Sequence, residues 1–379
     1  YCRAGSSISS EIFDIDDRAV FWYEPLDAFY FTKTGYYGRK DQKVLMLHNE
    51  TDFRSTESWE YTEITEFFKR LYTCRLSGLP PEFLAHRFLK HSSALQDYYH
   101  CYQHLSPDSI TNDLDRCREH LQDVCGKSVH VSLENNCLDH METLHNAKVL
   151  TGTQRGHYLE NYLSTSEMDK ARRHQVLRHL VNYRNCLDKL EDITDTCLYK
   201  AEQACHDRQF RAIKVVRMTM ELVSAVLSSV PDLTVIMFIR DPRAMAYSRA
   251  GKRKEEYDIL NNLRLTCKKL EVDFKELRAI NEAHPGSVAV VKYENFVEAP
   301  NLWTTKMYQH FGYSTPRDLD QFIRTHMFSG EDDGKKWGNI RQNATELANR
   351  WLHLVSPGLM SKMQDQCSDI ITMLGYDLF

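Results

Sequence analysis

A chain of 379 residues with 42% hydrophobic side chains can bury roughly three-quarters of its surface, as a large domain or two smaller ones must, so it reads as a folded globular protein. Its formal net charge of −5 and pI near 6.4 argue against nucleic acid as a partner, because such proteins carry a strongly basic domain. Any anionic ligand must then meet Arg and Lys concentrated locally.

Taken in chain order, Tyr1 to Tyr30 predicts a strand end, a small-residue turn, a short helix from about Ser6 to Phe13, and the apolar strand Ala19-Val20-Phe21-Trp22-Tyr23. From residue 62 to 205 the pattern becomes polar, Cys-containing and helical, as in Met168 to Leu190, where Val176, Leu177, Leu180 and Val181 recur at helical spacing. The stretch is expected to be a helical insertion within a single domain spanning residues 1–379. An α/β pattern returns at Ala212, with Ala212-Ile213-Lys214-Val215-Val216 as a strand and Met218 to Ser229 as a helix. Leu233 to Ile239 is a continuous apolar run suited to a central parallel strand buried on both faces. A helix over Lys254 to Ala283, the strand Ser287 to Val291, and helices around Leu302 to Phe311 and Leu359 to Leu374 follow. The fold class expected is α/β, a central parallel sheet flanked by helices.

Three constellations carry chemistry. Arg3-Ala4-Gly5-Ser6-Ser7 lies where a strand end passes into a helix. Gly5 permits a tight turn, the first N–H groups of the helix form an anion nest, and two hydroxyls add donors, which suits a phosphate or sulfate. Arg3 adds a charge able to stabilise a leaving oxygen. A surface turn capped by Ser6 is the plainer account. No GxxxxGK[ST] loop is present, which argues against nucleotide hydrolysis. The second constellation, Phe238 to Arg249, follows the apolar run. Asp241 is a natural N-cap and Pro242 a natural first helical residue, so Arg240 falls at the carboxyl end of the strand, where open α/β sheets bind ligands. Ser248, about two turns into that helix, shares a face with Asp241 and Ala244, so Arg240 and Ser248 could together hold a phosphate. The third, Glu24-Pro25, follows the aromatic strand. Its carboxylate could take the proton of an attacking hydroxyl or form an ion pair with Arg3 or Lys214. Lys214 and Arg217 bracket the next strand end, where they could line an anion site or serve structure.

Eleven cysteines without a CxxC pair fit neither a zinc site nor a redox centre, which leaves disulfides. The N-glycosylation acceptors Asn49-Glu50-Thr51 and Asn343-Ala344-Thr345 point with them to the secretory lumen. No run of ~18 apolar residues spans a bilayer. The first motif begins at residue 3, with no room for the strand before it, so the sequence reads as a fragment whose signal or membrane anchor lies upstream.

These segments resemble a known family. RAGSSISSEIF followed by YEPL is similar to the 5′-phosphosulfate loop of Golgi carbohydrate 6-O-sulfotransferases, Arg-Ser-Gly-Ser-Ser-Phe followed by Phe-Glu-Pro-Leu. AIKVVR and FIRDPRAMAYSR resemble that family's Leu-Lys-x-Val-Arg strand and its 3′-phosphate segment, while VVKYENFVEAP and MLGY resemble two later segments. The resemblance covers residues 1–30 and about 210–379 and implies a P-loop-like fold that binds 3′-phosphoadenosine 5′-phosphosulfate (PAPS) as co-substrate, without a metal. It implies that Arg3, Ala4, Gly5, Ser6 and Ser7 hold the 5′-phosphosulfate, that Arg240 and Ser248 hold the 3′-phosphate, and that Glu24 lies near the acceptor. It further implies sulfuryl transfer to a sugar hydroxyl, the 6-O of GlcNAc, Gal or GalNAc on a glycan or glycosaminoglycan, in the Golgi lumen by a type II membrane protein. A Cys267–Cys367 disulfide is implied as well. Because eleven cysteines are odd in number, one is left over, and Cys2 beside the loop is the candidate, either unpaired or bonded to a partner upstream. Ala4 and Ile8 depart from the family pattern on the loop side, and Asp27-Ala28 stands where Trp-His is common, which bears on the acceptor. A protein-tyrosine sulfotransferase and an inactive glycan-binding relative remain open.

Overall fold

Apolar residues at alternating four- and three-residue intervals run the length of Lys170–His206, a 37-residue helix whose buried stripe includes Val176, Leu180, Tyr183, Leu187, Leu190, Thr194, Cys197, Ala201 and Cys205. Such a stripe makes one helix the spine against which others bury their own apolar faces. The Asp169 side chain caps the helix by accepting the Arg172 N–H. Three disulfides hang from this spine, Cys205 to Cys74, Cys197 to Cys101 and Cys186 to Cys117, while Cys125–Cys137 closes a shorter loop. The computed structural model describes residues 6–34, 56, 58–86, 89, 92–106, 110–125, 137–150, 152–216, 218–230, 232–250, 254–330 and 342–378. They divide into two compact units, one of residues 18–50 and 73–217, the other of residues 1–17, 51–72 and 218–379.

The first unit holds the spine helix and the parallel ladder of β1 (Ala19–Tyr23) and β2 (Phe210–Lys214), in register from Ala19 opposite Phe210 to Tyr23 opposite Lys214. β1 falls where its apolar run predicts. β2 starts before Ala212 and stops at Lys214, two residues short of the predicted end. The cause is Glu24, whose φ of 53° turns the chain out of the strand. Its N–H still donates to the Lys214 carbonyl at 2.8 Å. The Val216 N–H donates to the Glu24 carboxylate at 3.2 Å instead of to a neighbouring strand.

Glu82 is fully buried in this unit and accepts the Tyr183 hydroxyl at 3.0 Å. Burial raises its carboxyl above the ordinary 4.5, against the opposing pull of Arg184. A group that holds its proton more tightly when folded gives the native state more bound protons than the unfolded chain over the window above that ordinary value. Stability therefore falls as pH rises through this window toward the folded pKa. Glu82→Gln keeps an acceptor for Tyr183, and is expected to be more stable than the parent near pH 7.5 while showing no gain near pH 4. Thermal melts of the two proteins across that range check it.

The second unit is built on β3 (Val235–Ile239) and β4 (Val288–Lys292), parallel and in register from Val235 opposite Val288 to Ile239 opposite Lys292. Met237 and Ile239 share one strand face and pack with Met220, Val223 and Leu227 of the helix Met220–Leu227 and with Leu270, Leu277 and Ile280 of the helix Glu256–Ala283. Opposite them Phe238 meets Phe296 edge to face at 5.7 Å but stays half-buried with Ile236. The expectation of burial on both faces is thus corrected: one face is packed by helices and the other only partly covered. Among the described residues the strands form two separate two-stranded ladders, not one continuous central sheet, so the α/β expectation holds in its parallel hand and its helical flanks. Cys267 and Cys367 are bonded, as the resemblance implies, joining the helices Glu256–Ala283 and Pro357–Met373. Cys2 and the acceptor Asn49 lie outside the described residues. Asn343 is exposed and caps the helix Ala344–Asn349, its side-chain oxygen accepting the Thr345 and Glu346 N–H groups. No described helix is long and apolar enough to cross a membrane.

Candidate functional site

Each ladder ends in a cluster of charge at the carboxyl ends of its strands. In the first unit, Glu24 follows β1 directly and Lys214 closes β2, so the parallel register alone makes them neighbours. The Lys214 ammonium is ion-paired with Glu24 Oε1, each side chain 8% exposed, and Val216 N–H holds Oε2. The ammonium also lies over the Tyr23 ring at 4.5 Å from its centroid. Of the partners left open by the sequence, Lys214 is therefore engaged. A non-glycine residue at positive φ carries backbone strain, here at a carboxylate fixed through both oxygens. What results is a carboxylate held in one orientation at the end of β1.

In the second unit, Asp241 and Pro242 open the helix Pro242–Arg249 as their residue types predict, Asp241 Oδ1 accepting the Arg243 N–H at 2.9 Å. Arg240 is thereby held at the end of β3, its side chain 13% exposed. Its Nη2 donates to the Ala348 carbonyl at 2.9 Å, its guanidinium stacks over Tyr293 at 5.1 Å, and its Nε lies 3.9 Å from Glu294 Oε1. Ser248 is half-buried in the last turn of the same helix, whereas Ala244 is packed in the core with Ile259, Leu263 and Trp351. Arg243, one step into the helix, is consumed by structure: two of its nitrogens donate to the Asp241 carboxylate at 3.1 and 2.8 Å, and one also reaches the Asp377 carbonyl.

Arg3, Ala4, Gly5 and Arg217 lie outside the described residues. Ser6 and Ser7 open the helix Ser6–Glu11, which belongs to the same unit as Arg240 and Ser248, while Glu24 belongs to the other. Phe13, just past that helix, stacks on Tyr308 at 5.3 Å, and the Tyr308 hydroxyl donates to the Ile12 carbonyl at 3.3 Å. Two groups escaped sequence reasoning. Asp27, noted only as a departure, is buried 3.8 Å from the buried His86, a pairing across 59 residues that no local pattern signals. Glu294 and Tyr376 meet at 2.8 Å beside Arg240, and the only signal was that both sit in segments that resemble the family.

Comparison with known proteins now adds to this geometry. The sequence profile of the sulfotransferase family matches residues 92–317, more than half of the 379-residue chain. The chain belongs to the sulfotransferase family. Rat carbohydrate sulfotransferase 1 is 26% identical over 196 residues, 47% of this chain and 47% of its own length. Human carbohydrate sulfotransferase 3 is 27% identical over 198 residues, covering 47% of this chain and 41% of its own, and mouse carbohydrate sulfotransferase 4 is 24% identical over 196 residues, covering 46% and 50%. The chain spans about half the length of the curated relatives it matches. No solved structure matches it significantly. Within this sulfotransferase-family protein, the matched span contains the spine helix, the strand β3 and both Arg240 and Ser248.

Proposed function

We propose that the protein transfers a sulfuryl group from PAPS to a sugar hydroxyl, the 6-O of GlcNAc, Gal or GalNAc, on a glycan or glycosaminoglycan. The observation that carries this reading is a partly buried Arg240 at the carboxyl end of a parallel strand, followed by a capped helix, inside the span that matches the family. A guanidinium at a strand end with a half-buried hydroxyl on the helix that follows is a donor set that suits a phosphate, and in this reading Arg240 and Ser248 hold the 3′-phosphate. Arg3 to Ser7 hold the 5′-phosphosulfate, and Glu24 accepts the acceptor's proton. Sulfuryl transfer has a loose in-line transition state, so positioning and charge neutralisation supply most of the catalysis. The names of the relatives support a carbohydrate acceptor. Five disulfides among the described residues favour an oxidising compartment, the Golgi lumen in this reading.

The test is incorporation of labelled sulfate from PAPS into chondroitin, keratan and N-acetylglucosamine-terminated acceptors, with acidic tyrosine peptides alongside. Label in a glycan is expected, and Arg240→Ala should weaken binding of adenosine 3′,5′-bisphosphate by about 10²-fold, the effect of removing a phosphate-bound guanidinium. Label confined to the peptides would establish a tyrosine sulfotransferase. Tight bisphosphate binding with no transfer to any acceptor would establish an inactive relative, for which the Asp27-Ala28 departure would then be the signature.

A further inference from the structure

Around Arg240 the sequence builds a restraint that no phosphate ligand needs to touch. Helix Pro357–Met373 ends through Gly375, whose φ of 67° reverses the chain so that the Tyr376 N–H donates to the Ile371 carbonyl at 3.0 Å. Lys292 fixes this turn from β4, its ammonium donating to the Gly375 carbonyl at 3.0 Å and lying over the Tyr376 ring at 4.6 Å. A Cβ at residue 375 would meet that ammonium at 3.3 Å, so both the backbone angle and the space favour glycine. The turn aims the Tyr376 hydroxyl at Glu294 Oε2, 2.8 Å away, while the Asp241 N–H holds Oε1 at 3.1 Å. Burial and the Glu294 charge push the Tyr376 hydroxyl well above its ordinary pKa, which keeps it a donor.

The consequence concerns Arg240. A carboxylate free to rotate beside a guanidinium closes on it bidentately and competes with any phosphate for the same N–H groups. Glu294 does not do so here: its oxygens are engaged by Tyr376 and Asp241, and Arg240 Nε stays 3.9 Å away, beyond hydrogen-bond distance. We propose that Tyr376 is a positioning residue that holds Glu294 off Arg240 and thereby sets the affinity for the 3′-phosphate of the nucleotide. This rests on the reading of Arg240 as the 3′-phosphate ligand.

The experiment compares the affinities of adenosine 3′,5′-bisphosphate and adenosine 5′-monophosphate, whose ratio isolates the 3′-phosphate. Titration calorimetry is run on the full chain and on Tyr376→Phe, Glu294→Gln, the double variant and Arg240→Ala. Tyr376→Phe should lower the ratio about fivefold with monophosphate binding unchanged, the size of one ordinary net hydrogen bond lost to competition. Glu294→Gln removes the competing charge, so the double variant should recover the ratio of Glu294→Gln alone. A purely structural role for Tyr376 would weaken both nucleotides together and would not be rescued by the second substitution, and that result overturns the proposal. If Arg240→Ala collapses the ratio while Tyr376→Phe leaves it at the parent value, the proposal also fails and the site reading stands. Should Arg240→Ala leave the ratio unchanged, it is the reading of Arg240 itself that fails.

Discussion

Glu24→Gln is expected to reduce turnover in sulfuryl transfer by about 10³-fold, close to 4 kcal/mol of barrier, which is what removal of a positioned general base does. The substitution also removes one charge of a buried pair. Lys214, 8% exposed, then loses its Glu24 counter-charge, and breaking a buried ion pair from one side destabilises by about 3–5 kcal/mol. A loss of activity in the single variant is therefore ambiguous. The pair Glu24→Gln with Lys214→Met separates the two causes, because removing both charges of a buried ion pair is often neutral for folding. Its melting temperature is expected to return close to that of the parent while turnover stays about 10³-fold down. If the double variant, folded and binding adenosine 3′,5′-bisphosphate, transfers sulfate within about tenfold of the parent rate, Glu24 is a structural partner of Lys214 and the base lies elsewhere.

The legible parts of this protein were those governed by neighbours in sequence. Asp241 before Pro242 marks a helix start, and both do that work; the apolar run Ala19 to Tyr23 marks β1 to the residue. Where non-local groups decide, neighbouring residues carry no signal. The end of β2 depended on a carboxylate 192 residues away that takes the Val216 N–H, and neither segment advertises the other. Likewise the apolar run of β3 predicts burial on both faces, yet how much of each face is covered depends on which helices pack there. At the candidate site, charge type was legible and engagement was not. Arg243 and Arg240 look alike in RDPR, but Asp241 grips the first through two nitrogens while the second lies over Tyr293 and beside Glu294. A preference between them follows from a helix cap whose side chain happens to reach one residue and not the other.

Substituting Cys267 and Cys367 together by Ala is expected to lower the stability of the unit that carries Arg240 by about 4–5 kcal/mol, since the bond closes a loop with a sequence separation of 100 and chain entropy scales with the logarithm of that length. For a unit of roughly 200 residues this corresponds to a fall of roughly 10 °C in melting temperature. Both cysteines are buried in the cluster formed with Ala244, Ile259, Trp351 and Ile371, so the Ala side chains remain in an apolar setting and leave only a small void. The bond acts mainly by restricting the unfolded chain, whereas the contacts around Arg240 to Ala348, Tyr293 and Glu294 involve neither sulfur. Well below its melting temperature the variant should therefore bind adenosine 3′,5′-bisphosphate within about twofold of the parent, an affinity change under ~0.5 kcal/mol. A fall in melting temperature of less than about 2 °C would show that the helices Glu256–Ala283 and Pro357–Met373 are held by packing alone. A normal melt shift accompanied by a large loss of nucleotide affinity would instead mean that the bond shapes the native helix Pro242–Arg249 across the shared core, and that Ser248 depends on it for its place.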